Sequence, residues 1–371
     1  MIYFDSAATS FQKPECVYQA VSSAMRIMSS PGRGGYDSAM RAADCVLDCR
    51  IALAEMFHVA EPEQVIFTHN ATEALNIAIM TLAGRGMRVL VSGFEHNAVT
   101  RPLYAVGADI ETFGSRLFDS ETLLRELRRK IGKAGLVVCT HVSNVFGYIL
   151  PIEEIAGICR EHHVPLIVDA SQSAGVLPLD FQKLDAAYAA MPGHKGLFGP
   201  QGTGVLLCRD LPKPLLFGGT GSDSKNPYMP DYLPDRLEAG THNVAGIAGL
   251  LAGCRWVTER GSENILRHEQ KLMRLFLRNI DSHPKIKCFA ANNASDQSGV
   301  LSLRLRDTDA ETCAERLSER GIAVRAGLHC APFAHATAGT SDGGTVRFSF
   351  SPFNTTGEVL EAVQNLTDFV G

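Results

Sequence analysis

Between about residue 15 and residue 210, short apolar runs alternate with stretches of helical period. The runs are VIFT (65–68), RVLVSG (88–93), DIETFG (109–114), LVVCTHV (136–142), PLIVDAS (165–171) and GVLLC (204–208). Between them, TEALNIAIMTLA (72–83), SETLLRELRRKI (120–131) and PIEEIAGICREH (151–162) read as helices. A strand that is apolar along its whole length must be covered on both faces, and alternating helices provide that cover. The pattern therefore predicts an α/β fold around a mainly parallel sheet. Ligands in such sheets bind beyond the carboxyl ends of the strands, so the residues just after each run are candidates for chemistry.

The pattern changes after about residue 210. A stretch rich in Gly, Pro and Asp (217–235) reads as a long loop, and a long helical section follows over 243–280. GVLSLRLR (299–306), a helix near 309–320, GIAVRAG (321–327) and GTVRFSFSPF (344–353) suggest a small α+β unit. We expect a large domain over 12–245 and a small domain made of 1–11 and 246–371. A chain of 371 residues with 45% hydrophobic content can bury cores for both.

Charge and cysteine usage exclude several classes. The net charge of −5 offers no basic surface for nucleic acid or an anionic membrane. The N-terminus, MIYFDSAATS, has neither a basic nor an apolar export region. VAGIAGLLAGC (244–254) falls short of the ~20 apolar residues that span a bilayer. The expected location is the cytoplasm. None of the ten cysteines sits in a CxxC pair, so no zinc or other metal site is expected. Without an export signal no disulfide framework is expected either. Most of the thiols read as small buried hydrophobes.

Four segments carry chemistry. LIVDASQSAG (166–175) ends an apolar strand in Asp169, with Gln172 three residues on. An acid there suits a metal, a pyridinium partner or a helix cap. AMPGHKGLFGPQGTG (190–204) frames Lys195 with glycines and apolar residues. A surface turn is the ordinary place for such a lysine, but desolvation would make it a Schiff-base nucleophile. A Schiff-base lysine with an acid for a pyridine nitrogen is the protein side of a pyridoxal 5′-phosphate (PLP) site. THNATEALN (68–76) supplies a candidate phosphate cradle, because Ala71, Thr72 and Glu73 open a helix whose free N–H groups could bind an anion. SGFEHNA (92–98) places His96 just past another strand, where its ring could stack on a flat cofactor, although a lone histidine is more often structural.

With these residues in view, the sequence resembles the cysteine desulfurase and selenocysteine lyase family. That family lies within the class V aminotransferase group of fold-type I PLP enzymes. The motifs occur in family order over almost the whole chain: YFDSAAT, ATEALN, EHNA, HVSNVFG, VDASQSAG, GHKGLFGPQGTG, EAGTHN, VRAGLHCAP and VRFSFSPFNT. The resemblance implies the following roles. Lys195 forms the Schiff base and moves protons, Asp169 pairs with the pyridine nitrogen, and Gln172 bonds the phenolate oxygen. His96 stacks on the ring and, as a catalytic residue, handles protons. Ala71, Thr72 and His194 hold the phosphate, with Thr241 reaching across from a second subunit of a homodimer. Asn144 and Arg347 hold the substrate carboxylate, and Arg33 lies near the substrate. Cys330, in the R-x-G-x-H-C-A motif from Arg325 to Ala331, accepts sulfur from L-cysteine as a persulfide, leaving alanine. Its thiolate is the reactive form, and a cationic His329 and Arg325 would favour it.

The short segment from Cys330 to Arg347 resembles the SUF-type group, whose cysteine sits on a compact loop and whose turnover calls for a sulfur-acceptor protein. The sequence also departs from the family pattern. Pro192 stands where a phosphate-binding serine is common and has neither hydroxyl nor N–H. Ala71 replaces a threonine, and Gly32 and Tyr36 replace histidines around Arg33. L-Selenocysteine is the alternative substrate. Another class V aminotransferase or lyase chemistry, with Cys330 incidental, is the alternative activity.

Overall fold

The computed structural model describes residues 1–32 and 34–370. A seven-stranded sheet forms the larger part. Its strand order is Val65–Thr68, Gly204–Cys208, Tyr188–Pro192, Leu166–Asp169, Leu136–Thr140, Arg88–Ser92, Asp109–Phe113. Neighbours are parallel except Gly204–Cys208, which runs antiparallel to both of its partners. Strands 136–140, 188–192 and 204–208 are buried at every position, as continuous apolar runs demand. Two apolar clusters cover the faces. One is built on Leu53, Leu127, Ile155 and Leu250; the other on Leu75, Ile79, Val99 and Leu103.

A four-stranded antiparallel sheet follows in the order Arg325–Gly327, Thr345–Ser349, Val300–Leu305, Ile286–Phe289. Its own cluster includes Phe276, Leu301, Phe348 and Leu366. The N-terminal strand Ile2–Tyr3 pairs in parallel with Ile322–Ala323, so the chain's first residues join this later layer.

The structure adds detail to the sequence reading at three places. Tyr188–Pro192 is a central strand that the sequence reading left inside a Gly- and Pro-rich segment. Its alanines lack the β-branching that marks a strand, and burial between two neighbours overrides that. The helical section over 243–280 is two helices, Val244–Arg260 and Ser262–Ile280, broken at Gly261 with φ 79°. GIAVRAG is likewise two strands, Ile322–Ala323 and Arg325–Gly327, in different sheets. The helix Val244–Arg260 crosses the expected boundary at 245/246. It buries Leu250, Leu251 and Cys254 in the same cluster as Leu53 and Ile155.

Two glycines set the backbone around the strand ends. A Cβ on Gly204 would lie 2.5 Å from the carbonyl carbon of Asn70, so only glycine lets that strand pass the helix that starts at Ala71. Gly175 has φ +81°, and a Cβ there would lie 2.2 Å from the carbonyl oxygen of Gly196. That close approach packs the segment after Asp169 against the segment carrying Lys195.

Candidate active site

The carboxyl ends of the parallel strands open into one cavity. Its walls include Ala71, Thr72, His96, Asn144, Asp169, Gln172, His194 and Lys195, residues separated by up to 124 positions in sequence. Asp169 ends its strand level with Thr140 of the neighbouring strand and is 3% exposed. One carboxylate oxygen accepts the Ser171 N–H at 2.9 Å. Lys195 follows the strand Tyr188–Pro192 by three residues. Burial pushes its amine down to about 8; Asp169 opposes that shift, while Arg347 and Arg325 reinforce it. A share of the amine is therefore unprotonated near neutral pH, as a Schiff-base lysine requires.

His96 caps the helix Asn97–Ala105 and its Nδ1 accepts the Ala98 N–H at 3.0 Å. The neutral ring then carries its proton on Nε2. Burial lowers its pKa, with Lys195, Arg325 and Arg101 adding to the effect against Asp169. Behind it lies Glu95, fully buried, which the sequence reading passed over. Its carboxyl accepts the Thr140 N–H at 2.8 Å and bonds the Ser92 hydroxyl, tying two strand ends together. Burial pushes it up to about 8, so it is mostly a neutral acid at pH 7. Its place directly before His96 was the one available signal.

The anion cradle forms where the helix Ala71–Leu82 begins. Asn70 caps it by accepting the Glu73 N–H at 2.9 Å, and the N–H groups of Ala71 and Thr72 have no intrahelical acceptor. His194 joins them. Its Nδ1 lies 2.9 Å from Thr9 Oγ1, and burial beside Lys195 and Lys13 pushes it down to about 4. It is thus a neutral ring with Nε2 left for a ligand. Pro192 lines the same wall and adds no donor. Gln172 spends one N–H on the Ala7 carbonyl at 2.9 Å and keeps a second. An amine, a carboxylate, an imidazole face and free N–H groups thus converge on one cavity. These residues fit PLP.

Other expected residues lie elsewhere. Thr241 is exposed and lines a groove with His69 and Glu73, outside the Lys195 cavity of its own chain. Arg33 lies outside the described residues. Arg347 is 2% exposed and stands behind the cavity. Its Nη2 lies 2.6 Å from Asp5 Oδ1, and its Nη1 donates to the Asn144 carbonyl at 2.8 Å. Asp5, in the YFDSAAT motif, is a partner the sequence reading did not single out.

Cys330 is exposed. It and His329 both have positive φ, 55° and 48°, which costs about 1 kcal/mol or more for each non-glycine residue. Two of the bonds at this turn tie it to the cavity. The Cys330 carbonyl accepts the Asn97 N–H at 2.7 Å, and the His329 carbonyl accepts Asn144 Nδ2 at 2.9 Å. The turn is thereby fastened to the residue next to His96 and to a residue on the cavity wall. The expected cationic His329 is not found. The ring is 5% exposed, and burial pushes its pKa down to about 2, with Arg347, His335 and Arg325 adding to the effect. His329 is neutral and contributes no positive charge beside the thiol.

The sequence profile of the class-V aminotransferases matches residues 2–361. The chain belongs to this family. It is 32% identical to a probable cysteine desulfurase of Methanothermobacter thermautotrophicus, over all of this chain and 95% of that one. It is 31% identical to a probable cysteine desulfurase of Pyrococcus abyssi, over 97% of this chain and 92% of that one. Among solved structures it superposes on the apo cysteine desulfurase of Thermococcus onnurineus with a TM-score of 0.90 at 30% identity. That alignment covers 100% of this chain and 94% of that one. This class-V aminotransferase is a PLP-dependent enzyme of fold-type I, as its sheet and cavity indicate.

Proposed function

We propose that this enzyme is a cysteine desulfurase, which takes sulfur from L-cysteine, releases L-alanine and leaves the sulfur on Cys330. The observation that carries the reading is the fastening of the exposed Cys330 turn to the wall of the Lys195 cavity through Asn97 and Asn144. PLP, when bound, supplies an electron sink for charge at the substrate α-carbon. Lys195 takes the α-proton, because its lowered pKa suits a base near neutral pH. Asp169 sets a buried negative charge at the end of its strand for the pyridine nitrogen. His96 offers a neutral ring to stack, and Ala71, Thr72 and His194 donate to the phosphate. Asn144 and Arg347 receive the substrate carboxylate. Arg347 does so through Nε, which is buried and has no acceptor among the described residues.

The Cys330 thiolate then attacks the substrate sulfur. A sulfur–sulfur bond forms and the carbon–sulfur bond breaks. The electron pair leaves with the carbon, which gains a proton and becomes the methyl group of alanine. One sulfur atom is added to the enzyme and no outside oxidant is needed. An exposed persulfide can be handed to a sulfur-acceptor protein. The exposed Thr241 and the exposed Tyr18, Met25, Met40 and Phe217 support a homodimer whose partner completes the phosphate site. The core shared by helix Val244–Arg260 supports placing the domain boundary at Gly261 rather than at 245.

The test is alanine released from L-cysteine, with a reductant present, by PLP-loaded wild type and Cys330→Ala. Alanine from wild type and none from the variant is expected. A keto acid product, or equal alanine from both, would contradict the reading. Alanine from L-selenocysteine alone would move the assignment to that substrate.

A further inference from the structure

Lys195 lines a second, smaller chamber on the side away from Thr72 and Asp169. That chamber lies between the two sheets. Gln172, Lys195 and Gly196 come from the larger layer, and Ser298, Ser349 and Glu269 from the smaller. Among its described walls, Lys195 and Glu269 are the two ionisable residues. Glu269 sits mid-helix in Ser262–Ile280, at 7% exposure, with no hydrogen bond to its carboxyl among the described residues. Its neighbours on the helix point elsewhere. His268 Nε2 lies 3.1 Å from the Asn354 carbonyl, and Gln270 bonds the carbonyls of Ala294 and Gln297. The carboxyl packs over Gly299, where a Cβ would come within 3.1 Å of Oε2.

Two further groups on the walls are unsatisfied. Ser6 Oγ and Ser298 Oγ are buried with no protein partner among the described residues. Buried hydroxyls are seldom left unpaired, and a polar chamber offering several such groups is where ordered water resides. A carboxyl and an amine on the walls of one chamber could exchange a proton through water held there.

We propose that this chamber holds water linking Glu269 to Lys195, so that the carboxyl stores a proton for the lysine nitrogen. The step balances: the proton leaves a Glu269 oxygen, passes along the water and arrives at Lys195 Nζ, leaving a carboxylate and a cation. Burial alone pushes Glu269 up to about 8, so near neutral pH the carboxyl still holds a proton to give. The coupling does not depend on which amino acid the enzyme takes. Glu269 acts through Lys195 and is a positioning residue in this sense.

The experiment is a pH titration of the bound cofactor's visible absorbance, which reports the proton on the Lys195 nitrogen, in holoenzyme of wild type and Glu269→Gln. A Glu269 carboxylate favours a cationic nitrogen. Its loss should therefore lower the midpoint, by about half a pH unit for a charge acting across water. An unchanged midpoint overturns the proposal. Infrared spectroscopy covers the case in which Glu269→Gln does not fold. Glu95→Gln holoenzyme removes the other neutral buried glutamic acid described above. The protonated-carboxyl band that remains should fade as pH rises through about 8 and shift in D2O. A missing band, or one unmoved by D2O because the chamber is dry, also overturns it.

Discussion

The cavity wall and the Cys330 turn are built on opposite principles. On the wall, Asp169, His96 and Lys195 sit at or just past the ends of buried strands, where packing on both faces fixes their positions. Burial lowers the pKa of both His96 and Lys195, and Asp169 opposes that in each. The turn exposes Cys330, holds two residues at positive φ, and is tied to the cavity by two backbone-carbonyl hydrogen bonds, with His329 and Ala331 buried on either side of the thiol. Groups that must hold one geometry through a cycle are placed on rigid strands. The proposed sulfur acceptor, Cys330, is instead placed on a strained turn.

The two regions should fail differently. Lys195→Ala should cut alanine formation by about 1,000-fold or more, since it removes the base. The rate at which Cys330 reacts with iodoacetamide should stay the same. A parallel loss of thiol reactivity would mean that wall and turn are one unit. Asp5→Ala tests what lies behind both. It strands the buried Arg347 without its carboxylate and should lower unfolding stability by about 3 kcal/mol in a denaturant titration. A loss below about 1 kcal/mol would show that the guanidinium finds another partner. Asn144→Ala loosens the turn from one side. Alanine formation should fall about 10-fold through lost positioning, iodoacetamide should react faster with Cys330, and the cofactor absorbance should not change. A change in that absorbance would show that Asn144 also acts on the bound cofactor.

The wall was the more legible region in the sequence. VIFT, RVLVSG, LVVCTHV and PLIVDAS became strands because a long apolar run has few other uses, and the residues following them line the cavity. YAAMP stayed hidden because alanine carries no strand signal, although it forms the strand that leads to Lys195. Burial was the other blind spot. Glu95, Glu269 and Asp5 read as ordinary charges in a sequence, and only the packed structure shows two of them held neutral and the third paired with Arg347. The same blind spot reversed the sign at His329, whose expected charge is lost on burial. Thr241 could not be resolved from one chain, since the role expected of it belongs to a neighbour's site.

The central claim is that sulfur moves from the substrate to Cys330 and to no other thiol. The most direct measurement is peptide mapping by mass spectrometry after holoenzyme is mixed with one equivalent of L-cysteine and no reductant, then alkylated. One added sulfur atom on the Cys330 peptide, and none on the peptides of the other nine cysteines, is the predicted result. Alanine formed with the added sulfur on a different cysteine, or with free sulfide and no enzyme-bound sulfur, would contradict the account.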